Sequence, residues 1–173
     1  MGRVILLTGR PGCGMTTTIR RALANYPGDA GGFYTQEIRE GGVRKGFEII
    51  TLEGKRGILA HVDILGQQRV GKYKLDLDTF EQLAIPAIQG AVERGALVVI
   101  DEIGPMEIRS KAFRQAVMHA MNSSVQILGT IVQRSTPFTD GIKGIPGVEV
   151  IEITPGNRKP MQTRIQDLLC EVY

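Results

Sequence analysis

The chain has 173 residues, 42% of them hydrophobic and 23% charged, which suffices for one domain with a buried sheet and helices on both faces. A formal net charge of +3, with no Lys/Arg run longer than two, speaks for a solvated, mildly basic surface and against a nucleic-acid-binding one. No apolar run reaches the roughly 20 residues of a membrane span. No signal-peptide cleavage pattern follows Met1, and Cys13 and Cys170 read as free thiols, so a cytoplasmic, membrane-free protein is expected.

The first element is a buried parallel strand over residues 3–8, followed by Gly9-Arg10-Pro11-Gly12-Cys13-Gly14-Met15-Thr16-Thr17 and a helix from about 14 to 25 that stops at Pro27-Gly28. Residues 33–38 and 43–50 flank Glu40-Gly41-Gly42 as a hairpin, and Glu53-Gly54-Lys55 turns into a further strand near Ile58. This antiparallel meander, about 31–62, reads as an insertion after the first helix. Residues 66–74 read as loop. Asp78 with Glu81 predicts a capped helix to about Arg94, kinked at Pro86 and Gly90. Strands follow over 96–101, 125–130 and 148–153, and Ser110 caps a helix between the first two. Thr154 at the N-cap and Pro155 at N1 predict a last helix with Ile165, Leu168, Leu169 and Val172 facing the core. Residues 1–173 thus form a single α/β domain with a mainly parallel sheet.

The loop at 9–17 matches the phosphate-binding pattern G-x-x-x-x-G-K-[ST] except that Met15 stands at the lysine position. Gly9, Gly12 and Gly14 allow close backbone approach, the helix start contributes positive dipole, and Thr16 offers a hydroxyl to Mg²⁺. Methionine has lysine's length without its charge or its donors. Three readings of Met15 stand open: a substitution introduced to slow turnover, a natural loss offset by another cation such as Arg10, or a protein that binds nucleotide without hydrolysing it.

Leu97-Val98-Val99-Ile100-Asp101-Glu102 is a buried strand ending in two carboxylates. Asp101 is the candidate Mg²⁺ ligand beside Thr16, and Glu102 the candidate base for a water attacking the γ-phosphorus. Thr130, ending the next strand, is a candidate γ-phosphate sensor, and Arg134 a candidate charge stabiliser. Arg39, Arg44 and Lys72 could supply cations to the site from the hairpin region, with solvated positions as the default, and His61 and His119 stand alone without metal-ligand spacing.

Several segments are collinear along nearly the whole chain: Thr8-Gly9…Gly14…Thr16-Thr17, Gly32-Phe33-Tyr34-Thr35 with Glu37-Ile38-Arg39, Gly46-Phe47, Val70-Gly71-Lys72-Tyr73, Phe80 to Pro86, Asp101-Glu102-Ile103-Gly104…Met106-Glu107, and Asn157-Arg158. Together they resemble the small nucleoside-triphosphatase family described from thermophiles, whose human relative is called cancer-related nucleoside-triphosphatase. The resemblance implies a RecA-like P-loop domain, probing no base edge closely, that hydrolyses ATP, GTP and other nucleoside triphosphates with Mg²⁺. It also implies that Asn157 and Arg158 lie near base or ribose, and a monomer is expected. Pro105 departs from the family pattern, which usually has lysine there. A nucleotide-binding switch and a small-molecule kinase are the alternatives to hydrolysis.

Overall fold

The computed structural model describes residues 1–171. Among them, nine strands form one sheet in the order β5-β6-β4-β3-β2-β7-β8-β1-β9. Chain order begins β1 (Val4–Thr8), α1 (Met15–Ala24), β2 (Ala30–Glu40), β3 (Val43–Thr51), β4 (Arg56–His61), β5 (Arg69–Val70) and β6 (Tyr73–Leu75). It continues α2 (Leu77–Glu93), β7 (Leu97–Ile103), α3 (Lys111–Asn122), β8 (Ile127–Ile131), α4 (Pro137–Lys143), β9 (Val148–Glu152) and α5 (Arg158–Cys170). A single 3₁₀ turn at Glu107–Arg109 precedes α3.

The strands β2, β7, β8, β1 and β9 run parallel, and their near-continuous apolar sequences follow from burial on both faces. Alternation in β1 divides the core. Val4 and Leu6 join α2 and α3 on one side, while Ile5 and Leu7 meet Ile19 of α1 and Ile165 and Leu169 of α5 on the other. Phe33, Phe80 and Phe113 anchor the first side, with edge-on ring pairs 5.1–6.0 Å apart.

The meander is continuous with this core. Strand β2 pairs parallel with β7 through residues 30–34 and antiparallel with β3 through residues 33–40, so the hairpin extends the sheet from a core strand. The expected loop at 66–74 is instead partly β5 and β6, which close the antiparallel edge through Ala60–Leu75 and Val70–Tyr73 pairs. Two-residue and three-residue strands are too short to carry a readable alternation.

Two helix starts differ from the sequence expectation. Asp76, not Asp78, caps α2: its carboxylate accepts from Thr79 N at 3.0 Å and Thr79 Oγ1 at 2.7 Å. Glu81 accepts from Ser110 Oγ at 2.5 Å, tying α2 to α3, while Ser110 caps α3 as expected. The last helix begins at Arg158 rather than Pro155, because Thr154 and Asn157 lock a turn between them. Thr154 N donates to Asn157 Oδ1 at 2.7 Å and Asn157 N to Thr154 Oγ1 at 3.2 Å. Ile165 and Leu169 are buried and Leu168 packs beside them; Val172 lies outside the described residues. Helix α4 was not expected, though its Thr136 capping box and Pro137 are ordinary start signals. No helix among the described residues is long and apolar enough to cross a membrane.

Candidate active site

The site forms where β1, β8 and β7 end side by side, the carboxyl edge at which open parallel sheets take ligands. The loop after β1 turns on Cys13 N donating to Arg10 O at 3.1 Å, and then enters α1. Gly14 caps α1 at φ 91°, a left-handed conformation that a residue with a Cβ pays to adopt, and its neighbours' N–H groups are left at the positive end of the helix. Cys13 is buried under the loop with its Sγ against Gly9.

Asp101 joins three strands' worth of chemistry. Thr16 Oγ1 donates to its Oδ2 at 2.7 Å, and Thr130 Oγ1, from the intervening strand β8, donates to its Oδ1 at 2.7 Å. Burial pushes the Asp101 carboxyl up, and the two hydroxyls and the Arg20 charge pull it back down. Arg20 itself is held on Tyr34, with its Cζ 4.5 Å from the ring centre and Nη2 donating to Tyr34 Oη at 3.0 Å.

The peptide between Asp101 and Glu102 is cis. Burial, and then the Asp101 charge, push the Glu102 carboxyl up to about 7. Its side chain folds over Gly104: a Cβ added there would lie 2.7 Å from Glu102 Cδ. Glu107 is the third carboxyl, raised well above its ordinary value by burial and by Glu102; its Oε2 has no hydrogen-bond partner among the described residues.

A cavity of about 620 Å³ covers this ground. Of the residues singled out from sequence, it is lined by Gly9, Pro11, Gly12, Met15, Thr16, Arg44, Asp101, Glu102, Pro105 and Arg134. The others lie around it. Arg10 and Thr17 are exposed, and Thr130 is buried behind Asp101. Arg158 lies over the loop, its Nη1 2.7 Å from where a Cβ on Gly14 would stand. The Asn157 amide is spent on backbone, accepting from Thr154 N and donating to Glu152 O at 2.8 Å. The wall opposite the loop is one that motif spacing does not reach: Thr35 and Glu37 of β2, and Arg44 and Phe47 of β3. Its sequence traces are the resemblance segments Gly32-Phe33-Tyr34-Thr35, Glu37-Ile38-Arg39 and Gly46-Phe47, and Arg44 as a cation of the hairpin region.

The donors present suit a hard divalent ion. One carboxylate and one hydroxyl converge, and no cluster of three His, Cys, Asp or Glu that could hold a metal occurs among the described residues. Such a half-set fits a divalent ion whose remaining ligands come from a substrate's phosphates and water.

Comparison with known proteins agrees with this geometry. The family model described as NTPase matches residues 4–166. The nucleoside-triphosphatase THEP1 of Thermotoga petrophila is 44% identical over 161 residues, covering 93% of this chain and 89% of that protein. The human cancer-related nucleoside-triphosphatase is 41% identical, covering 91% of this chain and 92% of its own length. The crystal structure of THEP1 from Aquifex aeolicus superposes with a TM-score of 0.89 at 36% identity, covering 96% of this chain and 98% of the other. The solution structure of the human protein gives 0.82 at 36% identity, with both chains fully covered. A strand-loop-helix with a converging Asp-Glu strand, matched end to end by these relatives, makes this chain a member of the nucleoside-triphosphatase family.

Proposed function

We propose that the chain hydrolyses nucleoside 5′-triphosphates, ATP and GTP among them, to diphosphate and phosphate with Mg²⁺ and little base preference. The observation that carries this reading is the Thr16–Asp101 hydrogen bond with Glu102 beside it on the same cavity wall.

In this mechanism the loop N–H groups around Gly12 to Thr16 bind the phosphates and align them. Thr16 and Asp101 would hold Mg²⁺, which when bound neutralises charge on the β- and γ-phosphate oxygens. Glu102 accepts a proton from the attacking water. That water's oxygen bonds to the γ-phosphorus, the bond from phosphorus to the β–γ bridging oxygen breaks, and the electron pair leaves with the diphosphate. A carboxyl lifted to about 7 is matched to take a proton near neutral pH. Thr130 keeps Asp101 aligned through its hydroxyl, a role different from direct phosphate sensing. Arg134, exposed on the cavity rim, is a charge stabiliser in reach of the phosphates. Arg158 over Gly14 serves the nucleoside end. Neither arginine reads a base edge specifically, in keeping with low base preference. A reducing compartment accords with the free cysteines Cys13 and Cys170.

Met15 favours one second reading, a nucleotide-binding switch with little turnover, because the loop lacks its usual ammonium. Phosphate release from Mg²⁺-ATP and Mg²⁺-GTP tests both. Release that disappears in Glu102→Gln supports hydrolysis; tight binding without release, in the parent chain and in Met15→Lys alike, supports the switch.

A further inference from the structure

Among the cavity-lining residues, the cations are Arg44 and Arg134, and neither belongs to the phosphate loop. They differ in how they are held. Arg134 is exposed, and no side-chain hydrogen bond fixes it among the described residues. Arg44 is fixed on three sides: Nε donates to Tyr73 Oη at 2.8 Å, Nη1 donates to Glu37 Oε1 at 3.2 Å, and Cζ stands 5.3 Å from the centre of the Phe47 ring.

The backbone explains why Arg44 faces this way. Glu37 pairs with Phe47 and Ile38 with Gly46, but Arg39 pairs with Arg44, so Lys45 is an extra residue in β3. Such a bulge re-aims the next side chain, and here it brings Arg44 onto the face shared by Glu37 and Phe47. Without it, alternation would send Arg44 and Phe47 to opposite faces. The Glu37 carboxylate does not neutralise the wall. Arg39 Nε also pairs with it at 2.8 Å, leaving two guanidiniums to one carboxylate, and Nη2 of Arg44 has no hydrogen-bond partner among the described residues. A restrained guanidinium loses little freedom on meeting phosphate, which is where a preorganised donor is most effective.

We propose that Arg44, brought to the cavity by the β2–β3 bulge, binds the γ-phosphate in place of the ammonium that Met15 lacks. This rests on the reading of the site as a triphosphate site, but not on turnover.

Affinity for an ATP analogue with a non-hydrolysable β–γ bridge and for ADP, each with Mg²⁺, tests it by titration calorimetry. Arg44→Ala is expected to weaken the analogue at least about tenfold, the worth of one charge-assisted hydrogen bond, and ADP less than about threefold. In a Met15→Lys background the same change costs the analogue less than about threefold, since the lysine supplies the missing charge. Tyr73→Phe, which keeps the cation and removes one anchor, gives a smaller loss confined to the analogue. Equal weakening of both nucleotides, equal loss in both backgrounds, or no loss overturns the proposal. Unchanged thermal unfolding separates these outcomes from misfolding, and Arg44→Lys retaining most of the analogue's affinity supports charge over packing. Tight analogue binding with no phosphate release from ATP defeats the hydrolase reading and leaves Arg44's role standing. Absence of binding by either nucleotide to the parent chain defeats both.

Discussion

Thr16 and Asp101 stand 85 positions apart and are joined by a 2.7 Å hydrogen bond from the threonine hydroxyl to the carboxylate. Strand β8, which lies between β7 and β1, supplies Thr130 to the other carboxylate oxygen, so one buried acid is held by a hydroxyl from α1 and a hydroxyl from the neighbouring strand. Thr130→Val removes that donor while keeping the shape. It leaves Asp101 Oδ1 buried without its partner, at a cost of about 1–3 kcal/mol. Urea unfolding of the parent and variant checks this. Thr130→Ser, which retains the hydroxyl, is expected to recover most of the loss.

Arg44 replaces the lysine in holding the bound γ-phosphate and not in meeting the charge of the transition state, so Met15→Lys is still expected to raise turnover about 10²–10³-fold, the worth of roughly 3–4 kcal/mol from one preorganised donor. The change belongs mainly in kcat, because the ammonium meets charge that grows as the γ-phosphoryl transfers. Steady-state phosphate release with ATP and GTP measures it. A change of less than about threefold would mean that cations already present do the lysine's work.

The pH dependence of stability follows from Glu102. Its carboxyl lies near 4.5 in the unfolded chain and about 7 in the folded one. Between those values the folded state keeps a proton that the unfolded chain has released, so this group's contribution is fully present below pH 4.5 and is lost as pH rises to about 7. Glu102→Gln cannot lose that proton. Without metal or nucleotide, the variant should match the parent near pH 4.5 and exceed it by on the order of 2–3 kcal/mol above pH 7.5. Denaturant midpoints taken across this range decide the matter, and a parent that gains on the variant as pH rises reverses the assigned direction.

The loop at 9–17 and the Asp101-Glu102 pair were legible because each is local: a few residues in sequence carry the whole geometry. The core strands were legible for the same reason, as unbroken apolar runs in β1, β7 and β8. What escaped was decided by partners far along the chain. Arg44 reads as a solvated hairpin cation until the bulge at Lys45 turns it toward a loop about 30 residues upstream in sequence. Strands β5 and β6 exist because Ala60 and His61 offer them an edge, not because their five residues prefer extension. The starts of α2 and α5 shifted by a few residues because Asp76 and Asn157 won the capping and turn hydrogen bonds from equally plausible neighbours. Glu107, buried with one oxygen unpaired, is unremarkable as a residue type and acquires its character from its burial first and then from Glu102.

Gly104 offers the sharpest separation of fold from chemistry. It sits in the turn after β7, and a Cβ there would come within 2.7 Å of Glu102 Cδ and Cγ, closer than real side chains approach. The obstacle is the side chain of Glu102 itself, not backbone, so the fold has a way to adapt: the carboxyl moves aside. Near pH 4.5, where Glu102 keeps its proton in the folded state, Gly104→Ala should therefore leave the melting temperature within a few degrees of the parent, and nucleotide affinity is expected to stay within about threefold. Turnover should fall at least about tenfold, since a base displaced by even 1 Å loses its alignment with the attacking water. Combining Gly104→Ala with Glu102→Gln distinguishes displacement of the base from any other effect. If Gly104→Ala acts through Glu102, the double variant is no slower than Glu102→Gln alone; an additional loss would locate the glycine's importance elsewhere in the turn.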